Sequence, residues 1–277
     1  MIRASTPSDT ESALLSEFFA DGEADDMIPR LARNGQAIRR IESIVQARET
    51  AHELILGDSR SASALEPNSV HLVVTSPPYW TLKRYNEHDD QMGHVADYEE
   101  FIAGLDEVWS NCYRALVPGG RLIINIGDVC LSRRQNNGRH TVVPLHATIQ
   151  EHCKAIGFDN LAPIIWHKIA NANYEVSGSG GFLGKPYEPN AVIKNDIEFV
   201  LMQRKPGGYR SPTKLERLLS IISAENLQLR PALCRITRAN PRTRTTLYRA
   251  RSNSPSDSFP YGMAGRPWMW FHRMDLR

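Results

Sequence analysis

The stretch Leu72-Val-Val-Thr-Ser-Pro-Pro-Tyr-Trp80 decides how the chain is read. Val73, Val74 and Thr75 favour a buried strand. Pro77 and Pro78 cannot extend it, because neither has an N–H to give to a ladder. The strand therefore ends in a rigid, extended corner. Ser76 offers a hydroxyl acceptor there. The Pro77 carbonyl has a nearly fixed direction, because proline locks its own φ and restricts the residue before it. Two acceptors at fixed spacing suit an NH2 group. They take both of its hydrogens and leave the nitrogen lone pair directed elsewhere. Tyr79 adds a flat face on which a ring can stack. An exocyclic amine on an aromatic ring describes cytosine or adenine, and an amine held in this way is more nucleophilic.

The flanks of the corner supply a sheet. "HELILGDS", from His52, reads as a short strand ending at Gly57-Asp58. Residues 97 to 116 place Tyr98, Phe101, Ile102, Leu105, Val108, Trp109, Cys112 and Leu116 at helical spacing. Asp97 followed by Glu100 makes a capping box. "VPGG" stops that helix, and "RLIINIGDV" is a buried strand. A second helix runs from about Val143 to Ile156 and ends at Gly157. "LAPIIWHK" and "DIEFVLMQRK" are further strands. Alternating strands and helices of these lengths predict an α/β fold, a parallel sheet with helices on its faces. Residues 8 to 50 carry a looser helical pattern, with Leu14, Phe18 and Phe19 on one face and Ile38, Ile41 and Ile44 on another. "SGSGGFLGKP", Ser177 to Pro186, is not a Walker loop. Position 179 is Ser where Gly is needed, and Pro186 follows Lys185 where Ser or Thr is needed. It reads as a mobile surface loop.

With "LILGDSRSASALEPNSVHLVV" before it, "TSPPYW" resembles the amino-methyltransferase family of DNA, in which [Asp/Asn/Ser]-Pro-Pro-[Tyr/Phe/Trp] is the catalytic motif. "LVPGGRLIINIGDV", "NLAPIIWHK" and "KNDIEFVLMQRKPGGYR" are similar, in order, to later segments of such enzymes. The resemblance covers about Ala51 to Ser223. It implies a Rossmann-like methyltransferase sheet with helices on both faces. It also implies transfer of a methyl group from S-adenosylmethionine to an amine of a base in double-stranded DNA, in the manner of restriction-modification systems. Serine at the head of the motif resembles the cytosine-N4 branch, with adenine-N6 as the alternative. The implied roles are as follows. Ser76 and the Pro77 carbonyl, with Pro78 fixing the corner, bind the target amine. Tyr79 stacks on a base flipped out of the duplex, helped by Trp80. Asp58 contacts the adenine end of the cofactor, or is simply a turn aspartate. Trp166 and Lys168 line the base pocket. Lys83, Arg84, Arg133, Arg134 and Arg139 fall in loops after strands and can hold phosphates, or are solvated charges.

The resemblance breaks at the cofactor loop. In this branch a strand, Phe-x-Gly-x-Gly and a helix come after the catalytic motif, here beyond Ser223. No such unit is present, and "FPYGMAG", Phe259 to Gly265, has the wrong glycine spacing. The expected sheet is therefore incomplete. The chain by itself is expected to bind S-adenosylmethionine weakly or not at all. A DNA-binding remnant without catalysis is the alternative from another class.

Charge divides the 277 residues in the same place. Of 33 basic and 31 acidic groups, ten arginines and two aspartates lie from Leu227 onward, which leaves 23 basic and 29 acidic groups before it. The tail is thus +8 and the body −6, although the whole is only +2. A tail with arginine and no lysine reads either as an out-of-frame translation of the missing half or as an arm that grips DNA. Three segments follow: a helical extension over 1–50, a methyltransferase region over 51–226 and an Arg-rich tail over 227–277. Cys112, Cys130, Cys153 and Cys234 form no C-x-x-C pair, so reduced thiols, a cytoplasmic location and no metal are expected. No run approaches the roughly 18 apolar residues of a membrane span.

Overall fold

A computed structural model describes residues 8–20, 23–48, 50, 52–55, 57–61, 64–82, 91–167, 184–185, 188, 192–193, 195, 197–209, 211–224 and 269–272. The described residues fall into two compact units, one drawn from 8–56 and 208–224, the other from 57–207 and 269–272.

The larger unit is built on a five-stranded sheet. Strand β1 is Val70–Thr75 and β2 is Leu116–Ile126. The short β3 (Val129–Leu131) and β4 (Thr141–Val143) pair with each other as a separate hairpin. β5 is Asp159–His167, and β6 (Gly184–Lys185) pairs with β7 (Val192–Ile193). β8 is Ile197–Arg204 and β9 is Met269–His272. The order across the main sheet is β5-β8-β2-β1-β9. Only β1 and β2 run parallel, with Val73 opposite Leu122 and Thr75 opposite Ile124. β8 runs antiparallel to both β2 and β5. The sheet, expected from sequence to be parallel, is therefore mixed. The long helix between β1 and β2 provides the crossover that parallel strands require. No described helix separates β5 from β8, and antiparallel neighbours need none.

That crossover helix, α4, is Tyr98–Ala115. Asp97 caps it by accepting from the Glu100 N–H at 2.9 Å. Its apolar positions are those read from the sequence, and Phe101, Ile102, Leu105, Val108, Trp109 and Cys112 are all buried. Helix α5, Leu145–Ile156, ends on Gly157 at φ +120°, a conformation that favours glycine. Both helices join one core with Val73, Leu122, Ile124, Ile126 and Leu201. These strand residues alternate with half-buried Val74, Ile123 and Asn125, so α4 and α5 cover one face of the sheet.

"HELI" before Gly57 is not a strand. Leu54 is 81% and Ile55 57% exposed. A strand needs a ladder partner, and the sheet edge at β1 is taken instead by β9, which pairs antiparallel from Leu72–His272 to Thr75–Met269. That edge strand lies in the stretch of the tail that shows no sequence period. The remainder of the tail and most of the Ser177–Pro186 loop lie outside the described residues.

The smaller unit holds α1 (Asp9–Phe19), α2 (Ala24–Leu31), α3 (Gly35–Ala47) and α6 (Lys214–Leu219). Ser8 and Glu11 form a capping box for α1, as Thr213 and Glu216 do for α6. Leu14, Ile41 and Leu218 meet in its core, with Phe18, Phe19 and Ile44 against them. Packing thus groups α6 with the N-terminal helices, whereas sequence alone grouped it with the sheet. No described helix is long and apolar enough to cross a membrane.

Candidate active site

The corner stands where the sequence puts it, at the C-terminal end of β1. Ser76 is exposed, while Pro77 and Pro78 are buried. The Ser76 hydroxyl has no partner among the described residues, which leaves it free to accept. After Pro78 the chain turns sharply through Tyr79. Trp80 takes φ +46°, and Leu82 N–H donates to the Tyr79 carbonyl at 3.0 Å. A left-handed tryptophan is strained and persists only where its surroundings hold it. Here its ring packs edge-on against Tyr98 at 5.1 Å, on the core side of the corner. Trp80 therefore braces the corner from the core side.

Tyr79 is held by two contacts that sequence reading missed. Its ring lies against Gly127, where an added Cβ would stand 3.0 Å from the ring Cε2. Its hydroxyl accepts from Asn125 Nδ2 at 3.1 Å. The same amide donates to Glu198 Oε2 at 3.0 Å. Glu198 is only 8% exposed, so this charge-assisted bond counts for more than one at the surface. Asn125 and Gly127 close β2 beside β1, and Glu198 opens β8 on the other side of β2. The parallel register of β1 and β2 brings their C-terminal ends to one edge, and antiparallel β8 presents its N-terminal end there.

Beside this cluster, Asp128 Oδ1 and His146 Nδ1 lie 2.6 Å apart, and the His146 backbone N–H donates to the same oxygen at 3.2 Å. The imidazole stacks on Phe199 with centroids 3.8 Å apart. Trp166 on β5 is opposite Glu198 in register, so both side chains project from the same face of the sheet, and Trp166 is 46% exposed. Lys168, Lys83 and Arg84 lie outside the described residues. Arg133, Arg134 and Arg139 are exposed in the β3–β4 loop.

Asp58 lies in a local turn. Arg60 takes both of its carboxylate oxygens, with Nη2 to Oδ2 at 2.7 Å and Nε to Oδ1 at 3.2 Å, and the Arg60 backbone N–H adds a bond to Oδ1 at 2.9 Å. The carboxylate is thus bound within its own turn. No group of three or more His, Cys, Asp or Glu side chains among them could hold a metal ion.

The three described thiols are not part of the site. Burial pushes Cys112 up to about 12 and Cys153 higher still, so both stay protonated and inert. Cys130 is exposed on β3, and its thiol is raised by partial burial and by Asp128.

The sequence profile of the N6/N4 DNA methylases matches residues 70–254. The chain belongs to that family. The match begins at the first residue of β1 and runs past position 226 into the Arg-rich segment. Among its relatives, the Type II methyltransferase M.MjaI of Methanocaldococcus jannaschii is 36% identical over 178 residues, covering 56% of each chain. The Type II methyltransferase M.MthZI of Methanothermobacter thermautotrophicus is 30% identical over 189 residues, covering 64% of this chain and 51% of its own. The chain thus spans about half the length of these curated relatives. The Thermus thermophilus protein TTHA0409, described as a DNA modification methylase and solved with S-adenosyl-L-methionine, shares 50% identity at a TM-score of 0.51. That match covers 64% of this chain and 63% of the other. The sheet is accordingly a methyltransferase sheet.

Proposed function

We propose that the chain is a site-specific DNA methyltransferase of the restriction-modification type, and that its corner receives the N4 amine of a cytosine flipped out of double-stranded DNA. S-adenosylmethionine is the methyl donor implied by its relatives. The observation that carries this reading is the Ser76-Pro77 corner with Tyr79 held beside it by Asn125, Glu198 and Gly127. Ser76 and the Pro77 carbonyl take the two amine hydrogens. Tyr79 supports the ring, and its fixed position lowers the entropy lost when the base docks. Flipping is required because a paired base cannot reach such a pocket. Trp166 projects from the face that carries Glu198 and supplies a second wall.

One second reading remains, in which the chain binds DNA and transfers nothing by itself. Adenine N6 is the alternative target within the first reading. Mass spectrometry of nucleosides separates the three. DNA from cells that express the chain and lack other base methylation is digested and analysed. N4-methylcytosine supports the proposal, and N6-methyladenine alone moves the target to adenine. Neither product, together with retained DNA binding, establishes the second reading.

A further inference from the structure

The hairpin β3–β4 leaves the sheet at the corner. Gly127, which touches the Tyr79 ring, is two residues before β3, and α5 starts two residues after β4. Asp128 precedes the hairpin and His146 follows it, so their bonds at 2.6 and 3.2 Å clamp its two legs together at the root. The loop between the legs is Ser132-Arg-Arg-Gln-Asn-Asn-Gly-Arg-His140. No acidic residue occurs from Val129 to Val143. Arg133, Arg134 and Arg139 are exposed, and no guanidinium of the three has a partner among the described residues.

The tip has a defined shape. Gln135 and Asn136 N–H both donate to the Ser132 carbonyl, at 3.0 and 3.1 Å, and Gly138 N–H donates to the Arg133 carbonyl at 2.8 Å. Gln135 Oε1 accepts from the Ser132 N–H and hydroxyl. Asn137 and Gly138 take φ +47° and +81°, the left-handed turn for which Asn-Gly is the favoured pair. The Gln135 and Asn137 side chains therefore have structural explanations. The amide of Asn136 has none.

We propose that this hairpin is a DNA-reading arm that enters the major groove beside the flipped base. Arg133, Arg134 and Arg139 rest on phosphates, and the Asn136 amide faces a base edge. The inference depends on the DNA reading of the corner. A two-stranded ribbon has the width that the major groove admits, and an asparagine amide there pairs bidentately with adenine. Three strand residues carry the tip about 10 Å from its root, roughly three base pairs from the flipped nucleotide. Three exposed arginines on a rigid, acid-free ribbon form a phosphate-binding surface whose charges no described residue neutralises.

The test uses the whole chain, fluorescent duplexes and binding measured by anisotropy at several salt concentrations. Arg133→Ala/Arg134→Ala/Arg139→Ala should keep its circular dichroism spectrum. The slope of log affinity against log salt should become shallower by about two to three, since each phosphate no longer neutralised removes about 0.9. The corresponding triple lysine variant should hold the slope near wild type, since each charge remains. Asn136→Ala should leave the slope unchanged, but sites selected from a random pool should show about tenfold less discrimination at one position. An unchanged slope in the alanine variant, with wild-type binding intact, overturns the arm and leaves the DNA reading standing. Unaltered selected sites for Asn136→Ala overturn the base-reading role. Failure of the wild-type chain to bind any duplex overturns the DNA reading and the arm with it.

Discussion

Replacing Asn125 with leucine should cost about 2 kcal/mol of stability and loosen Tyr79. Asn125 Nδ2 donates to the Tyr79 hydroxyl at 3.1 Å and to Glu198 Oε2 at 3.0 Å. A neutral hydrogen bond contributes about 1 kcal/mol net, and one to a charged group about 1.5–3. Against this, Asn125 Oδ1 is buried with no partner, and removing it returns on the order of 1 kcal/mol. The balance lowers Tm by roughly 4–8 °C for a domain of this size. The assay is thermal and urea denaturation of wild type, Asn125→Leu, Glu198→Leu and the double variant. Glu198 is 8% exposed, so the charge deprived of this donor is the main source of loss in Asn125→Leu. The double variant removes that charge as well. It should be more stable than the sum of the two single losses by about 1 kcal/mol or more. Additivity within about 0.5 kcal/mol would show that the two side chains do not act together, and the account of how Tyr79 is held would fail.

Ser76→Ala in a complete version of the enzyme should cut methyl transfer by a few orders of magnitude, on the order of 4 kcal/mol of barrier, with little change in DNA affinity. Turnover close to wild type removes Ser76 from the amine site. Gly120→Ala should destabilise by about 1–3 kcal/mol, because its Cβ would stand 2.8 Å from the Val117 backbone carbonyl oxygen, which cannot move as a side chain can. A neutral result in urea denaturation contradicts the packing at that point of β2. Stability should fall as pH rises above about 9. The Cys112 pKa is raised in the fold, from 9.0 to about 12, so its contribution is complete below the unfolded value and is lost on the way to the folded one. The difference is about 4 kcal/mol over that window. Cys112→Ala should be less stable at pH 7 yet lose less between pH 9 and 12, and an equal alkaline slope would sink the assignment. The reading of the Arg-rich tail is checked by translating the gene beyond Ser223 in the other two frames. A strand followed by Phe-x-Gly-x-Gly and a helix in one of them supports the out-of-frame reading, and absence from both, which the family match to residue 254 favours, ends it.

What could be read from sequence was whatever local chemistry determines. The Ser-Pro-Pro corner announces itself because two missing N–H groups must end a strand. Helix α4 does so because seven apolar residues share one spacing and Asp97 caps it. Asn125 and Glu198 stayed hidden because they are 73 positions apart and meet only through sheet order. Nothing in "NIGD" or "DIEF" indicates that β8 runs antiparallel beside β2, and that direction is what brings Glu198 to the corner. The clamp between Asp128 and His146 is likewise a product of the hairpin between them. The hairpin itself could have been found. "VCL" and "TVV" flank an Asn-Gly pair, which is a strong short-range turn signal. "HELI" was misread because its apolar residues imply a strand while saying nothing about a partner, and none of the described strands pairs with it.

The central claim is that a base leaves the duplex and rests on Tyr79, and photocrosslinking tests it without any cofactor. A duplex carrying 5-iodocytosine opposite a mismatched base, which lowers the cost of flipping, is bound to the whole chain and irradiated, and the linked peptide is identified by mass spectrometry. The account predicts a crosslink within residues 76–80, centred on Tyr79 and lost in Tyr79→Ala while DNA binding persists. Efficient crosslinking confined to the Arg-bearing loops or the tail, with none at the corner, would contradict it.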